Sequence, residues 1–405
     1  MASHESMDRR KFIVTTAGAL AVGLGGAGAR VPGSEIEEAA AKVGQIPRRT
    51  FDRSKRKVSV LVGAGDWAPE AIEAGILCGI NYWHKSDKWN RDTVPKAILK
   101  DREAYYCEIC VNRIHGNHET GVIDEESHYQ YVKQAAASTG LRYFDDYKFH
   151  FGYHTSEEWQ KNHGMIRAYE RLKKEGLVRH LCLSQHSYNG NSRVPGGEDR
   201  TTLLTHVLEE GIYEHAQFAF TFGDDEALNK FVSMARSRKF GTMAMKTTGG
   251  AARMQADREF MSKFPEGTTP HQALSRWLTT ATELSTSVIM VSNLDQFVDT
   301  YSGAGKPLRA ADRRAIELMN DYANREVCRL CNDCMTHCAQ RVAIADILRY
   351  ERYAIDYGDP ERARRLYVQL DKKGDSCQVC GACVTGCQQG INLPDKLASA
   401  HRLLS

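Results

Sequence analysis

The chain has 405 residues, more than one hydrophobic core usually serves, so its length favours two or three structural units. Its 54 Lys and Arg nearly balance its 51 Asp and Glu, which leaves a formal net charge of +3, and 42% of the residues are hydrophobic. These values argue against a largely disordered chain and against a protein that binds nucleic acid by charge. Twelve cysteines are too many to ignore, but at this length they do not make the whole chain a disulfide scaffold.

The first 29 residues have the pattern of a removable export signal. Arg9 and Arg10 precede a weakly apolar run, Ile13 to Ala29, which is shorter than the roughly 20 apolar residues that a spanning helix needs. The small residues Ala27-Gly28-Ala29 offer a cleavage site. We therefore predict a twin-arginine (Tat) signal peptide, delivery to the periplasm or another extracytoplasmic space, and no membrane span in the mature chain. A flexible basic tail is the alternative.

Eight short runs rich in β-branched and aromatic residues alternate with helical periodicity between residues 57 and 303, as in successive βαβ units. The expected strands are Val58–Val62, Ile80–His84, Tyr105–Val111, Phe144–His150, His180–Ser184, His215–Phe220, Gly241–Lys246 and Ser287–Val291. The best-marked helices are Asp124–Ser138, Ser156–Lys174 and Asp224–Arg238. Eight repeats over about 250 residues predict a (β/α)8 TIM barrel in the α/β class. An open doubly wound sheet is the alternative, although no Gly-x-Gly-x-x-Gly motif follows any strand.

The segments outside the barrel have different compositions. Residues 30–56 carry no periodic core pattern and are expected to form a spacer or a wrap over the barrel. Residues 304–327 predict a connecting helix, amphipathic around Ile316, Met319 and Tyr322. In residues 328–400 strands vanish, and two cysteine runs flank a charged helical insert, Ile344 to Leu370. We therefore predict a second, mostly α-helical domain.

The two cysteine runs have the same spacing, Cys-x2-Cys-x2-Cys-x3-Cys. Their members are Cys328, Cys331, Cys334 and Cys338 in the first run, and Cys377, Cys380, Cys383 and Cys387 in the second. This spacing is typical of two-cluster ferredoxins, in which the fourth cysteine of each run ligates the other cluster. It predicts two 4Fe-4S clusters, with Cys387 completing the first set and Cys338 the second. Disulfides and zinc are the alternatives.

The other four cysteines are expected to be core residues. Cys107 and Cys110 lie three apart on a predicted strand and therefore face opposite sides, which disfavours a redox pair. Cys78 and Cys182 fit buried helix and strand positions.

Several strings in the barrel resemble the aldo/keto reductase family. They are Gly79-Ile80-Asn81-Tyr82-Trp83, the run from Tyr143 to His150, the run from Leu172 to His180, and Gly241-Thr242-Met243-Ala244-Met245-Lys246. The cysteine region, with Cys387-Gln388-Gln389-Gly390-Ile391-Asn392-Leu393-Pro394, resembles that of the family's iron-sulfur dicluster branch. The resemblance covers residues from about 57 to 400. It implies a (β/α)8 barrel and NADPH-linked carbonyl reduction.

The family's catalytic tetrad of Asp, Tyr, Lys and His is only partly present. By the resemblance, the His position is His150, the Asp position falls on His84 and the Tyr position on Trp89, while the Lys position falls on Asn112 or Arg113. Trp89 has no ionisable proton, so the family's proton donor is missing.

The cofactor positions are also altered. Ser184-Gln185 stands where the resemblance expects a Ser-Asn pair that holds the nicotinamide amide. Ser292-Asn293 occupies the phosphate-binding turn, which lacks the basic residues that select NADPH and carries Asp295 instead. NADPH binding is therefore expected to be weak.

Three ionisable residues near expected strand ends are the candidates for chemistry at the barrel mouth. Catalysis in this fold takes place at the carboxyl ends of the strands, where His84, His150 and Lys246 are expected. We predict an exported oxidoreductase in which the clusters relay electrons between a redox partner protein and an unknown small-molecule substrate. The alternatives are a barrel that has lost catalysis and serves as a docking scaffold, and metal-dependent hydrolysis or lyase chemistry at a histidine rim.

Overall fold

The structure is a computed structural model that describes residues 31–112, 124–150, 155, 164–185, 198, 200–222 and 226–405. At Asn112 and His150 the description covers the backbone but not the side chain. The expected export signal, residues 1–29, lies outside the described residues. No helix in the described part of the chain combines the length and apolar character that crossing a membrane requires.

Eight parallel strands close into a barrel, which confirms the predicted fold. A short hairpin comes first, formed by β1 (Arg48–Thr50) and β2 (Lys57–Ser59). The barrel strands are β3 (Leu61–Ala64), β4 (Tyr82–His84), β5 (Tyr106–Asn112), β6 (Phe144–His150), β7 (Val178–Gln185), β8 (His215–Ala219), β9 (Gly241–Met245) and β10 (Thr286–Val288). Each strand pairs with the next in chain order, and β10 closes the ring by pairing Val288 with Val62 of β3. The described residues of β3, β8 and β9 are buried throughout, as expected for parallel strands covered on both faces.

Helices pack outside the ring and follow most of the strands. The described ones up to residue 301 are α1 (Gly33–Val43), α2 (Pro69–Leu77), α3 (Lys96–Lys100), α4 (Glu125–Thr139), α5 (Gly164–Lys174), α6 (Arg200–Glu210), α7 (Glu226–Ser237), α8 (Ala251–Ala256), α9 (Arg258–Ser262), α10 (Pro270–Thr280) and α11 (Leu294–Tyr301). The expected helix Asp124–Ser138 appears as α4, which begins after the N-cap Asp124 and ends at Gly140 in a left-handed conformation. The described parts of the other two expected helices are α5 and α7.

The segment expected to be a spacer or a wrap over the barrel packs against the barrel. It forms α1, which buries Ile36, Ala39 and Val43, and the hairpin of β1 and β2. The turn of the hairpin covers the amino ends of the barrel strands, because the Phe51 ring lies 4.7 Å from that of His215, the first residue of β8. The sequence did carry a short signal for helix α1, because Ile36, Ala39 and Val43 are spaced i, i+3 and i+7 and so form one apolar stripe.

The region after the barrel is helical, and a fold of this kind was predicted. It contains α12 (Ala310–Glu326), α13 (Ile344–Ile355), α14 (Pro360–Val368), α15 (Ala382–Thr385) and α16 (Leu393–Leu404). Helix α12 is the expected connecting helix and buries Ala315, Met319 and Ala323. The insert between the cysteine runs is two helices, α13 and α14, rather than one. Cys334 and Cys383 belong to the apolar core that these helices share.

A buried ion-pair cluster joins the cysteine-rich region to the barrel. Arg253 of α8 lies 3.2 Å from Glu351 and 3.3 Å from Asp356, at the carboxyl-terminal side of α13. Arg352 lies 3.3 Å from Asp356 on its other side. These side chains are at most 11% exposed, so each charge relies on the others for neutralisation. The two regions therefore meet across α8, which follows barrel strand β9.

Candidate functional site

The interior of the barrel holds a buried charged cluster below its mouth. Lys148 of β6 lies with Nζ 2.6 Å from Glu108 Oε1 of β5 and 2.7 Å from His84 Nδ1 at the end of β4. Lys148 also donates a hydrogen bond to Gln217 of β8. Because β7 separates β6 from β8 in the ring, Lys148 reaches Gln217 across the barrel interior.

Two further side chains complete the surroundings of Glu108. The Tyr82 hydroxyl donates to Glu108 Oε2 at 2.9 Å, and the Cys110 thiol donates to Glu108 Oε1 at 3.2 Å. Glu108 Oε1 also lies 2.6 Å from His84 Nδ1. The carboxylate thus has several partners in a region from which water is excluded, since the side chains of Glu108 and Lys148 are fully buried.

The charge states in this cluster follow from its geometry. Burial opposes the charge on Glu108, but Lys148 and His84 outweigh it and hold the pKa of this carboxyl well below its usual range. Burial likewise opposes the charge on Lys148, while Cys110 and Glu108 raise its pKa. Burial, and then the charge of Lys148, lower the pKa of His84. At neutral pH the cluster therefore contains a carboxylate, an ammonium and a neutral imidazole.

Because its imidazole is neutral, His84 does not act as a cationic proton donor. Nδ1 lies 2.7 Å from the Lys148 ammonium, which can only donate, and 2.6 Å from the Glu108 carboxylate, which can only accept, so these two contacts favour opposite tautomers of the neutral ring. In either tautomer the charged pair holds the imidazole in place at the end of β4. The sequence proposed His84 for the chemistry of the mouth, and the structure puts it at the end of β4 with 6% of its surface exposed.

The same cluster bears on the hypothesis of a metal at a histidine rim. The ligand atoms of His84, Glu108 and Cys110 lie within 4.8 Å of one another, as in a metal site. However, the Lys148 ammonium binds both His84 and Glu108 and so supplies the positive charge that a metal ion would bring. The side chain of His150 lies outside the described part. This cluster therefore gives no support to the metal hypothesis.

Sequence reasoning missed Glu108 and Lys148. Both lie inside strands that were identified by their apolar and aromatic residues, and neither is at a strand end. A charged residue in the middle of a strand that is buried on both faces needs a buried partner of opposite charge. The presence of Glu108 and Lys148 within such strands was therefore the signal that could have revealed this pair. The four isolated cysteines, Cys78, Cys107, Cys110 and Cys182, are buried as predicted.

Lys246 lies where the barrel meets the cysteine-rich region. It follows β9 directly and has a left-handed backbone, with φ of 55°. Burial lowers its pKa to about 7, and Arg349, Arg352 and Arg362 of the neighbouring helices α13 and α14 add to this effect. The lysine is thus at the mouth, as predicted, and its cationic neighbours come from outside the barrel.

The expected cofactor residues fall into two groups with different surroundings. Ser184 and Gln185, at the end of β7, are buried, and Ser184 Oγ and both amide atoms of Gln185 have no hydrogen-bond partner among the described residues. Ser292 and Asn293 are exposed at the start of α11. There the Ser292 N–H donates to Gln296 Oε1 at 2.8 Å, and the Gln296 N–H donates to Asn293 Oδ1 at 2.9 Å.

The two cysteine loops have the same backbone conformation. Leu330 and Val379, at matching positions, both have positive φ, and so do Asn332 and Gly381. Three backbone hydrogen bonds also recur at matching positions, for example Met335 N–H to the Asn332 carbonyl and Val384 N–H to the Gly381 carbonyl, both 2.9 Å. Positive φ is uncommon outside glycine, so its recurrence in both copies marks a conformation that the cysteine spacing requires.

The two cysteine runs lie against each other. Gln388, next to Cys387, donates a hydrogen bond to Asp333 in the first run, and a Cβ placed on Gly386 would clash with the ring of His337, next to Cys338. Burial, with contributions from Cys331 and Cys387, raises the pKa of the Cys328 thiol to about 11. Burial, with contributions from Cys377, Cys338 and Cys380, also raises the pKa of Cys383.

All eight thiols are free, so no disulfide joins any of them.

Comparison with known proteins supports the assignment of the barrel. No family model and no curated protein matches the chain. Among solved structures, it is similar to an aldo-keto reductase from Bacillus halodurans in its holo form, with a TM-score of 0.50 and 16% identity over 68% of this chain and 96% of that chain. An aldo-keto reductase complexed with NADPH has a TM-score of 0.49 and 12% identity over 69% and 88% of the two chains. One from Brucella melitensis has a TM-score of 0.47 and 15% identity over 68% and 100%.

The first of these likenesses identifies the class of fold. The closed eight-stranded barrel with its flanking helices has the (β/α)8 fold of that structure, and the similarity covers the barrel part of the chain. This chain thus joins a (β/α)8 barrel to a helical region with clustered cysteines.

Glu108→Gln tests the buried pair. Removing one partner leaves the Lys148 ammonium without its carboxylate, and this should lower the free energy of unfolding by about 3–5 kcal/mol. The measurement is urea unfolding followed by far-ultraviolet circular dichroism. The double variant Glu108→Gln with Lys148→Met removes both charges and should recover much of the loss. A single variant within about 1 kcal/mol of the parent would contradict a charged pair at this position.

Proposed function

We propose that this protein is an exported iron-sulfur oxidoreductase in which an aldo-keto reductase barrel and two 4Fe-4S clusters form one electron-transfer unit. The observation that carries the proposal is the pair of matching four-cysteine loops, the first of which lies beside the barrel mouth. Each loop repeats the same positive-φ positions and hydrogen bonds. We propose that each cluster takes its fourth thiol from the other loop.

The thiol arrangement fits the clusters in two respects. There are two runs of four thiols with the same spacing, and none of the eight is in a disulfide. The two sets of ligands would be Cys328, Cys331, Cys334 and Cys387, and Cys377, Cys380, Cys383 and Cys338. When bound, such clusters supply one-electron transfer, with reduction potentials that depend on hydrogen bonds and solvent exposure.

The position of Cys328 connects this region to the barrel. Cys328 lines a small recess together with Thr221 and Phe222, which follow β8, and Gly249, which follows β9. In a barrel of this kind the substrate binds at the carboxyl ends of the strands. Electrons held near Cys328 would therefore be close to a substrate at the mouth, where Lys148 and Glu108 fix the orientation of the His84 ring.

The residues present do not fit NADPH well. At the end of β7, the buried and unpartnered atoms of Ser184 and Gln185 suit an amide group. At the start of α11, however, the Ser292 and Gln296 N–H groups are already bound within the turn, and Asp295 adds a negative charge. A 2′-phosphate needs cations and free donors at this point. We therefore propose that electrons reach the barrel from a redox partner protein rather than from NADPH.

The proposal of export relies on the N-terminal sequence. The pair Arg9-Arg10 and the apolar run behind it are typical of the twin-arginine route, which carries folded proteins and suits a protein that receives its cofactors in the cytoplasm.

Metal analysis tests the cluster proposal. Anaerobically purified protein should contain about eight iron and eight acid-labile sulfide per chain, since each of two cubes holds four of each. Cys338→Ala should damage the cluster of Cys377, Cys380 and Cys383, and Cys387→Ala should damage that of Cys328, Cys331 and Cys334, as seen by electron paramagnetic resonance. Stoichiometric zinc without iron would refute the proposed clusters. If each variant instead lost the cluster held by its own run of cysteines, the proposed exchange of fourth ligands would be refuted.

NADPH titration tests the cofactor argument. Protein fluorescence should reveal binding much weaker than micromolar, and a panel of aldehydes should show little NADPH-dependent reduction. Asp295→Arg replaces the acid at the phosphate turn with a cation and should tighten the binding. Micromolar binding to the parent chain with brisk turnover would overturn this part of the proposal.

Cell fractionation tests export. Changing both Arg9→Lys and Arg10→Lys should leave the protein in the cytoplasm, because the transporter recognises the arginine pair. Changing Arg30→Lys, after the expected cleavage site, is the matched control and should leave delivery unchanged. Delivery of the double variant to the periplasm would require a different route.

A further inference from the structure

The two cysteine loops share a backbone conformation but differ in exposure. Leu330 in the first loop is 7% exposed, whereas Val379, at the matching position of the second loop, is 71% exposed. The next cysteine in each loop differs in the same direction. Cys331 is partly buried, and Cys380 is the one exposed cysteine of the eight.

The first loop is covered because it lies against the barrel. A Cβ placed on Gly250, in the segment after β9, would come within 2.9 Å of Val327 Cγ2, so Val327 packs closely on that backbone. On the other side, the guanidinium of Arg352 donates to the Cys328 carbonyl at 3.5 Å, and Arg352 is bound in turn to Asp356. The chain on both sides of Cys328 is thus held at the mouth of the barrel.

The second loop presents an uncharged surface. Gln378, Val379, Cys380 and Ala382 are all exposed, and the three residues other than the cysteine are uncharged. An exposed valine held at positive φ has no packing role that would favour it over the glycine that such a conformation usually takes. Exposed apolar residues next to a redox ligand suit brief contact with another protein.

We infer that electrons pass through the two cysteine sets one after the other. The loop from Cys377 to Cys383 is the surface at which an external one-electron carrier protein docks. The Cys328 loop holds the inner set, which faces the barrel. This inference relies on the proposed clusters. It adds the order in which electrons pass through the two cysteine sets and the surface at which the carrier protein docks. One electron leaves the reduced carrier, which is thereby oxidised, and enters at the Cys377 set. It then passes to the Cys328 set, with no bond made or broken and no proton transferred.

The first test measures how exposed each cluster is in the intact, cluster-loaded protein. A soluble dysprosium chelate speeds the electron-spin relaxation of nearby reduced clusters, and serine ligation in Cys331→Ser or Cys380→Ser shifts one signal and so identifies it. The chelate should affect the Cys377 set several-fold more strongly than the Cys328 set. Equal effects, or a stronger effect on the Cys328 set, would overturn the inference.

The second test measures entry of electrons by stopped-flow reduction with methyl viologen radical. Val379→Trp covers Cys380 without changing a ligand and should slow the bimolecular phase several-fold. Leu99→Trp, at an apolar surface position on α3 of the barrel, is the control and should leave the rate unchanged. An unchanged rate in Val379→Trp would also overturn the inference. The absence of any iron-sulfur resonance in the parent protein would instead refute the proposed function, so the two failures can be told apart.

Discussion

A charge enclosed in a closed barrel has to be neutralised inside that barrel, and this constraint organises the interior of the present structure. At the amino ends of the strands, Arg56 binds both Asp52 and Asp146. Nearer the mouth, Lys148 binds Glu108 and His84. Each group is buried, so neither set can exchange its partners for water, and each links strands and loops that are distant in the sequence.

The upper of these two sets also changes the chemistry of the mouth. The imidazole at the end of β4 is kept neutral by burial and by Lys148. The described part of the mouth therefore contains a neutral imidazole that the charged pair below it holds in one orientation. This arrangement is consistent with electrons that come from the neighbouring cysteine-rich region, which contacts the mouth through Cys328 and through the ion pairs of Arg253.

The duplicated cysteine loop illustrates how one local structure can serve two purposes. The spacing of the cysteines brings the same left-handed positions and the same hydrogen bonds to both copies. Their surroundings differ, because one copy lies against the segment after β9 and the other faces solvent. The two loops therefore share a backbone conformation, but the first lies against the barrel and the second lies at the surface.

The sequence by itself determined the features that arise from neighbours along the chain. Strand periodicity predicted eight barrel strands that all appear within a few residues of their expected bounds, although the first expected strand, Val58–Val62, is divided between β2 and β3. The cysteine spacing predicted two loops of the same conformation. Tertiary structure decided what depends on distant partners. Glu108 and Lys148 are 40 positions apart and meet only because β5 and β6 are adjacent in the barrel. Likewise, Leu330 and Val379 have the same local pattern, and only the closeness of the barrel to the first loop makes one buried and the other exposed.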